Sequence, residues 1–379
     1  MTTASPTDIR IPEALLPADG RFGSGPSKVR PEALEGLAAT GTSYMGTSHR
    51  QPGVKSVVAQ LRSGLAELFQ LPDGYEVALG NGGTTAFWDI ATLCLIERRS
   101  QHLSFGEFSA KFAAAAKAAP HLEDPDIVES PPGTHPQAVG RPGIDVYALT
   151  HNETSTGVKM EIRRPSEGVD AGALVAVDAT SGAGGLRVEA TEFDAYYFAP
   201  QKCFAAEGGL WAALLSPAAI ERVTRLRENG RWAPASLDLG IALDNSRQNQ
   251  TYNTPALATL WLFADQLSWM LEKGGLEWCA SRCDRSAGVL YGWAESTSYS
   301  RPFVAKPDER SSVVGTIDLD DTIAAATVSH VLRANGIVDT ESYRKLGRNQ
   351  LRIGMFPAVD PDDVEALTHC VDYIVEQLS

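Results

Sequence analysis

With 379 residues, 43% of them hydrophobic and 21% charged, the chain has the material for a large core and two domains of ordinary globular type. Its net charge of -14, with no basic stripe and no interleaving of aromatic and basic residues, argues against nucleic acid as a partner. No uncharged apolar run approaches a membrane span and no basic-then-apolar leader opens the chain, while the five cysteines are scattered, so a cytoplasmic protein with reduced thiols and no membrane association is expected.

After a polar arm, Arg21-Phe22-Gly23-Ser24-Gly25-Pro26 specifies a turn; it lacks the preceding strand and third glycine of a dinucleotide-binding loop. Residues 42–53 form a loop of small and polar residues that carries Ser48-His49-Arg50. Val54, Val57, Val58, Leu61, Leu65, Leu68 and Phe69 then recur at helical spacing. Residues 77–79 read as a strand running through Gly80-Asn81-Gly82-Gly83-Thr84-Thr85 into an apolar helix over 86–96. A glycine turn with a threonine cap leaves backbone N–H groups free at a positive helix end, which is a phosphate site. Taken alone, the same pattern is also a plain turn, and no Gly-Lys-Ser/Thr follows to make it a Walker loop.

Strand and helix patterns then alternate. A strand at 102–105 precedes a helix from Glu107-Phe108; a strand at 144–150 ends in His151-Asn152-Glu153-Thr154; one at 173–177 ends in Asp178-Ala179-Thr180-Ser181. The aromatic run 193–198, bounded by Pro200, exits at Gln201-Lys202, and glycines lead on to a second apolar run, 210–215. This alternation predicts an α/β fold with a mainly parallel sheet covered on both faces, whose ligands bind beyond the C-terminal strand ends. Gly83-Thr84, Phe108, Thr154, Asp178 and Lys202 all fall at that edge. A polar tract, 244–253, ends in Tyr252-Asn253-Thr254-Pro255, and a long apolar helix begins near Ala256. A helix over 275–295, a strand over 313–319, a helix over 322–334, strands near Ile337 and over 351–356, and a closing helix complete a smaller α/β unit. The predicted organisation is an N-terminal arm (1–24), a large domain (25–262) and a small C-terminal domain (263–379).

A lysine at a strand exit is costly to bury unless it is used. With its pKa lowered in a pocket, the amine becomes a nucleophile toward a carbonyl, although Lys202 alone also reads as a surface lysine. One cofactor accounts for the whole set. Pyridoxal 5'-phosphate needs a lysine for its aldehyde, an acid beside its ring nitrogen, a phosphate cup and an aromatic or apolar wall. Lys202, Asp178 (24 residues earlier), the Gly83-Thr84-Thr85 turn and Phe108 supply these in turn. Thr154 suits the phenolate oxygen, and Gln201 the phosphate or ring edge. Each has a structural alternative: Asp178 a helix cap, Thr154 a turn former, Phe108 a core residue. Cys279 and Cys283 lie four apart on a helix without a second ligand pair, so they read as core and no metal site is expected.

The order Phe-x-Ser-Gly-Pro at 22–26, Ser-His-Arg at 48–50, Asn-Gly-Gly at 81–83, Gly-x-Phe at 106–108, Asn-Glu-Thr at 152–154, Val-Asp-Ala-Thr-Ser at 177–181, Gln-Lys at 201–202 and Asn-Thr-Pro at 253–255 resembles the phosphoserine aminotransferase family, in its actinobacterial branch. The resemblance runs from about residue 21 to the C-terminus. It implies the fold-type I architecture, with a seven-stranded sheet between helices, and a homodimer with shared active sites. The activity it implies is reversible amino transfer between L-glutamate and 3-phosphohydroxypyruvate, giving 3-phospho-L-serine and 2-oxoglutarate in serine biosynthesis. The related 4-phosphohydroxythreonine reaction of pyridoxine synthesis stands beside it.

Carried over residue by residue, the resemblance makes Lys202 and Asp178 catalytic and puts Gly83, Thr84, Thr85, Phe108, Thr154, Thr180 and Gln201 around the cofactor. Asn253 and Thr254 would cap the cofactor phosphate of the neighbouring subunit, and His49 and Arg50 would reach across to the substrate's distal anion. Arg352 would take the α-carboxylate, with Ser24 at the substrate's edge. The chain departs from the family in three places: Phe108 stands where many members stack a tryptophan, Thr84 where many carry a cup arginine, and the His-Arg pair before Arg352 is missing. Tyr343-Arg344-Lys345 and Arg348 stand nearby, with Arg344 the candidate cation for the substrate. The alternatives are another class V enzyme, such as a serine-glyoxylate aminotransferase or a cysteine desulfurase, and a non-catalytic pyridoxal phosphate binding protein. Neither Cys203 nor Cys370 is well placed for a desulfurase.

Overall fold

The structure is a computed structural model that describes residues 9–378; residues 1–8 of the expected arm lie outside them. In chain order come α1 (Pro31–Ala39), α2 (Pro52–Leu68), β1 (Glu76–Asn81), α3 (Thr84–Cys94), β2 (Ser100–Ser104), α4 (Glu107–Ala118), β3 (Asp126–Glu129) and β4 (Val146–Thr150). The short hairpin of β5 (Asn152–Glu153) and β6 (Val158–Lys159) follows, then β7 (Leu174–Asp178), β8 (Ala195–Phe198), β9 (Leu210–Leu215), α5 (Pro217–Glu228), α6 (Leu239–Arg247), α7 (Leu257–Lys273) and α8 (Gly275–Ser296). Seven strands form one sheet in the order β1-β9-β8-β7-β4-β2-β3. It is mainly parallel, as the alternation predicts; only β9 runs against its neighbours, β8 and β1.

The central strands are buried on both faces, so alternate residues feed two cores. Val175 and Val177 of β7 join Tyr196 and Phe198 in a core closed by α2 and α7, where Val58, Leu61 and Leu65 meet Leu260, Phe263 and Leu267. Leu174 and Ala176 point the other way, into a core with Phe87 and Ile90 of α3 and Phe112 of α4. Each fully buried leucine or phenylalanine contributes about 2 kcal/mol.

A second, antiparallel sheet joins β10 (Ser300–Pro302), β11 (Val314–Leu319) and β12 (Gln350–Gly354), with α9 (Ala325–Ala334) between β11 and β12 in the chain and α10 (Pro361–Leu378) after them. Its core unites Leu290, Ile317, Val328, Ile353 and Val371 with Ile9, Ile11 and Phe22 of the N-terminal segment. Two local expectations fail here. Near Ile337 the chain makes only isolated bridges, Val338 to Arg21 and Glu341 to Leu351, because Asp339 between them turns it with a φ of 65°. The helix expected from residue 322 starts at Ala325, since both the N–H and the hydroxyl of Thr322 donate to Asp320 Oδ1 in a local turn. Among the described residues no helix is long and apolar enough to cross a membrane.

Candidate active site

The sequence candidates converge where the parallel strands of the large sheet end. Beyond β8 the chain is fixed by Ser27, whose N–H donates to the Gln201 carbonyl at 2.8 Å and whose hydroxyl donates to the Lys202 carbonyl at 2.6 Å. Lys202 Nζ in turn donates to the Ser24 carbonyl at 2.5 Å. Residue 25 is glycine for two reasons: its φ is 141°, and a Cβ there would fall 1.9 Å from Lys202 Nζ. Burial, and next the positive charge of Arg352, pull the Lys202 pKa down to about 8, against the opposing pull of Cys203 and Asp178. The amine is therefore far closer to its neutral, nucleophilic form than an ordinary lysine.

Asp178 ends β7 opposite Thr150 and Tyr197 and is buried. Oδ1 accepts from the Thr180 N–H at 3.0 Å and from its hydroxyl at 2.5 Å, while Oδ2 accepts from the Trp88 indole N–H at 2.8 Å. Burial pushes the carboxyl pKa up, and these hydrogen bonds and Lys202 pull it back only in part. A cationic ring nitrogen placed against it would relieve that desolvation. Trp88 was not a sequence candidate, because inside an apolar helix it reads as core.

At the end of β1 the helix cap is Gly83, with φ 79°, rather than the expected threonine. Thr84 and Thr85 are the first two helical residues, no side chain caps the end, and the space beside Gly83 is open. The N-terminal amides of α3 are thus left for an anion. Asn81 Nδ2 donates to the carbonyls of Asn253 (3.4 Å) and Thr254 (3.1 Å), which brings that loop beside the cup within the same chain. His49 Nδ1 lies 3.2 Å from Thr254 Oγ1, and Arg50 Nη1 donates to Gln250 Oε1 at 3.1 Å. His49, Arg50, Asn253 and Thr254 therefore form one group next to Asn81, and Gln250 joins it unannounced by the sequence.

Phe108 sits one residue into α4, whose first turn is held by Glu153. This fully buried carboxylate accepts from the N–H groups of Phe108, Ser109 and Ser155 and from the hydroxyls of Ser109 and Ser155. A Cβ at Gly106 would strike it at 2.3 Å. Next to it, the hydroxyl of Thr154 and Asn152 Nδ2 donate to Ser181 Oγ at 2.7 and 2.9 Å. Arg352, in β12, donates to the Thr154 carbonyl at 3.4 Å, and burial lowers its pKa. Ser24, Gly25, Tyr343, Arg344 and Arg352 line a cavity of about 420 Å³.

All five cysteines are free and buried, and no group of three or more metal-binding side chains occurs among the described residues. Cys203 and Cys370 are pushed up in pKa by burial, Cys370 to about 11, so neither offers the exposed thiol of a desulfurase.

The family model for class-V aminotransferases matches residues 22–367, and the chain belongs to that family. It is 61% identical over 370 residues to a phosphoserine aminotransferase of Nocardioides sp., covering 98% of this chain and 99% of that one. A phosphoserine aminotransferase of Rhodococcus jostii is 60% identical over 368 residues, covering 97% and 98%. Among solved structures, a phosphoserine aminotransferase from Cytophaga hutchinsonii matches with a TM-score of 0.85 at 24% identity, over 93% of this chain and 99% of that one. The fold is that of the fold-type I aminotransferases.

Proposed function

We propose that the chain is a phosphoserine aminotransferase that moves the amino group of L-glutamate to 3-phosphohydroxypyruvate, giving 3-phospho-L-serine and 2-oxoglutarate. The observation that carries the substrate assignment is the 61% identity over almost the whole chain to an enzyme of that name. The residues fit pyridoxal 5'-phosphate as its cofactor: among the described residues the buried Ser24 Oγ, Asn152 Oδ1, Gln201 Oε1 and Arg352 Nε have no hydrogen-bond partner, and the Gly83 cup is open. Gly83, Thr84 and Thr85 would hold its phosphate, Asp178, oriented by Thr180 and Trp88, its ring nitrogen, Thr154 and Gln201 its polar edge, and Phe108 its ring face. When bound, it supplies the electron sink that lets the Cα–H bond of the amino donor break.

Lys202 Nζ takes the Cα proton and returns it during the exchange, and a pKa near 8 suits both tasks. Arg352 orients the α-carboxylate with its planar fork. Ser24 holds the substrate's edge, and the cations at Arg50 and Arg344, with the His49 ring beside Arg50, receive the distal phosphate or γ-carboxylate. The same reading makes the working form a cytoplasmic homodimer in which Asn253, Thr254, His49 and Arg50 serve the neighbouring site. The exposed side chains of Met45 and Tyr252, beside those loops, support a partner surface there.

Incubation of the pyridoxal phosphate-loaded enzyme with L-glutamate and each of 3-phosphohydroxypyruvate, pyruvate and glyoxylate tests the assignment. Rapid 2-oxoglutarate release with the phosphorylated acceptor alone is expected. Equal use of glyoxylate would sink the substrate assignment, and sedimentation as a fully active monomer would sink the shared site.

A further inference from the structure

Tyr343 has no role assigned above, yet its ring meets two parts of the site at once. Its centroid lies 6.1 Å from that of Phe108, and the Arg352 guanidinium carbon lies 5.2 Å from the centroid of the Tyr343 ring. The stretch that carries it, just before the turn Arg344–Leu346, is tied to the large sheet's side by an ion pair between Lys345 and Glu107, the residue preceding Phe108. The neighbouring charges are committed elsewhere: Arg348 pairs with Asp318, and Arg333 with Asp339 and Glu341. Among the described residues Arg352 forms no ion pair with an acid, Glu341 acting on it only through space; it has the aromatic face, the long contact to the Thr154 carbonyl, and an Nε without a partner.

We propose that Tyr343 is the positioning residue for carboxylate binding: it holds the Arg352 guanidinium against its ring face while packing against the Phe108 ring. The choice of an arene is chemically apt. An acid at this point would neutralise Arg352 and compete with the incoming carboxylate, whereas a ring face restrains the guanidinium and leaves its charge and its N–H fork free. The proposal rests on Arg352 as the α-carboxylate site of the reading above.

Tyr343→Leu and Tyr343→Phe, made in the full-length pyridoxal phosphate-loaded enzyme, test it. The Kd of 2-oxoglutarate is read by calorimetry without turnover, beside KM, kcat and the affinity for pyridoxal phosphate. The Leu variant should weaken 2-oxoglutarate, and raise KM for both glutamate and 3-phosphohydroxypyruvate, by about tenfold, with kcat changed by less than about threefold. Its affinity for pyridoxal phosphate should fall a few-fold as Phe108 loses its backing. The Phe variant should stay within about twofold of wild type throughout, because the ring face remains. Unchanged 2-oxoglutarate binding in the Leu variant overturns the proposal, as does a Phe variant as impaired as the Leu variant. If the binding pattern holds but the wild type moves no amino group to 3-phosphohydroxypyruvate, the functional reading falls and the role of Tyr343 stands.

Discussion

The indole N–H of Trp88 lies 2.8 Å from Oδ2 of Asp178, so one helix both carries the open N-terminus at Gly83 and fixes the carboxylate proposed to meet the ring nitrogen. A hydrogen bond to a charged group is worth about 1.5–3 kcal/mol. Trp88→Phe should therefore lower the affinity for pyridoxal phosphate by about tenfold or more, read by equilibrium dialysis. An unchanged Kd would show that Thr180 alone holds the carboxylate.

Lys202→Met should abolish amino transfer and also alter the pH dependence of stability. Folding lowers the amine's pKa from its ordinary 10.5 to about 8, so between those values the unfolded chain binds the proton more tightly. Wild-type stability from this group therefore rises with pH across that window. The Met variant of the apoprotein should be the more stable at pH 7, with its advantage shrinking as pH rises toward 10; urea midpoints at several pH values measure it. A gap that does not change with pH would mean the amine is not desolvated.

Glu153→Ala would take the carboxylate acceptor from three donors in the first turn of α4, on Phe108 and Ser109, and from two on Ser155 in the turn after β5. A loss of stability of about 3 kcal/mol is expected in urea unfolding. A change below about 1 kcal/mol would mean that water replaces the carboxylate.

If Arg50 receives the substrate phosphate as proposed, Arg50→Ala should raise KM for 3-phosphohydroxypyruvate by about tenfold or more, through loss of a charge-assisted contact. Cofactor affinity should change less than about threefold, because the Arg50 bond within the chain runs to Gln250 rather than to the cup. An unaltered KM removes Arg50 from the site.

The large sheet was legible because strands buried on both faces leave continuous apolar runs, and α2 and α10 because their buried faces recur at helical spacing. Less visible was α5, where Arg222 is buried and pairs with Asp145 and the Leu95 carbonyl, so a charge occupies a core position. Lys202 and Asp178 announced themselves as charged groups at the ends of apolar strands. Glu153 did not: its neighbours in sequence mark it as a turn residue, and its task depends on Ser109, 44 residues away. Tyr343 lies outside any periodic segment, and its meaning comes only from the ring and the guanidinium folded against it.

The antiparallel β9 also bears on how the site comes into being. It is the last strand of the large sheet along the chain, yet it lies between β8 and the first strand, pairing Asn81 with Leu210, and the Gly82 N–H is completed by the Gly209 carbonyl. The two ends of that closure are roughly 130 residues apart, a long loop to close and a slow kind of contact to make. During synthesis, the phosphate cup and the lysine therefore become neighbours only after residue 215 has emerged and the strand has inserted. A chain stalled before that point leaves the apolar edge of β8 without the strand that covers it.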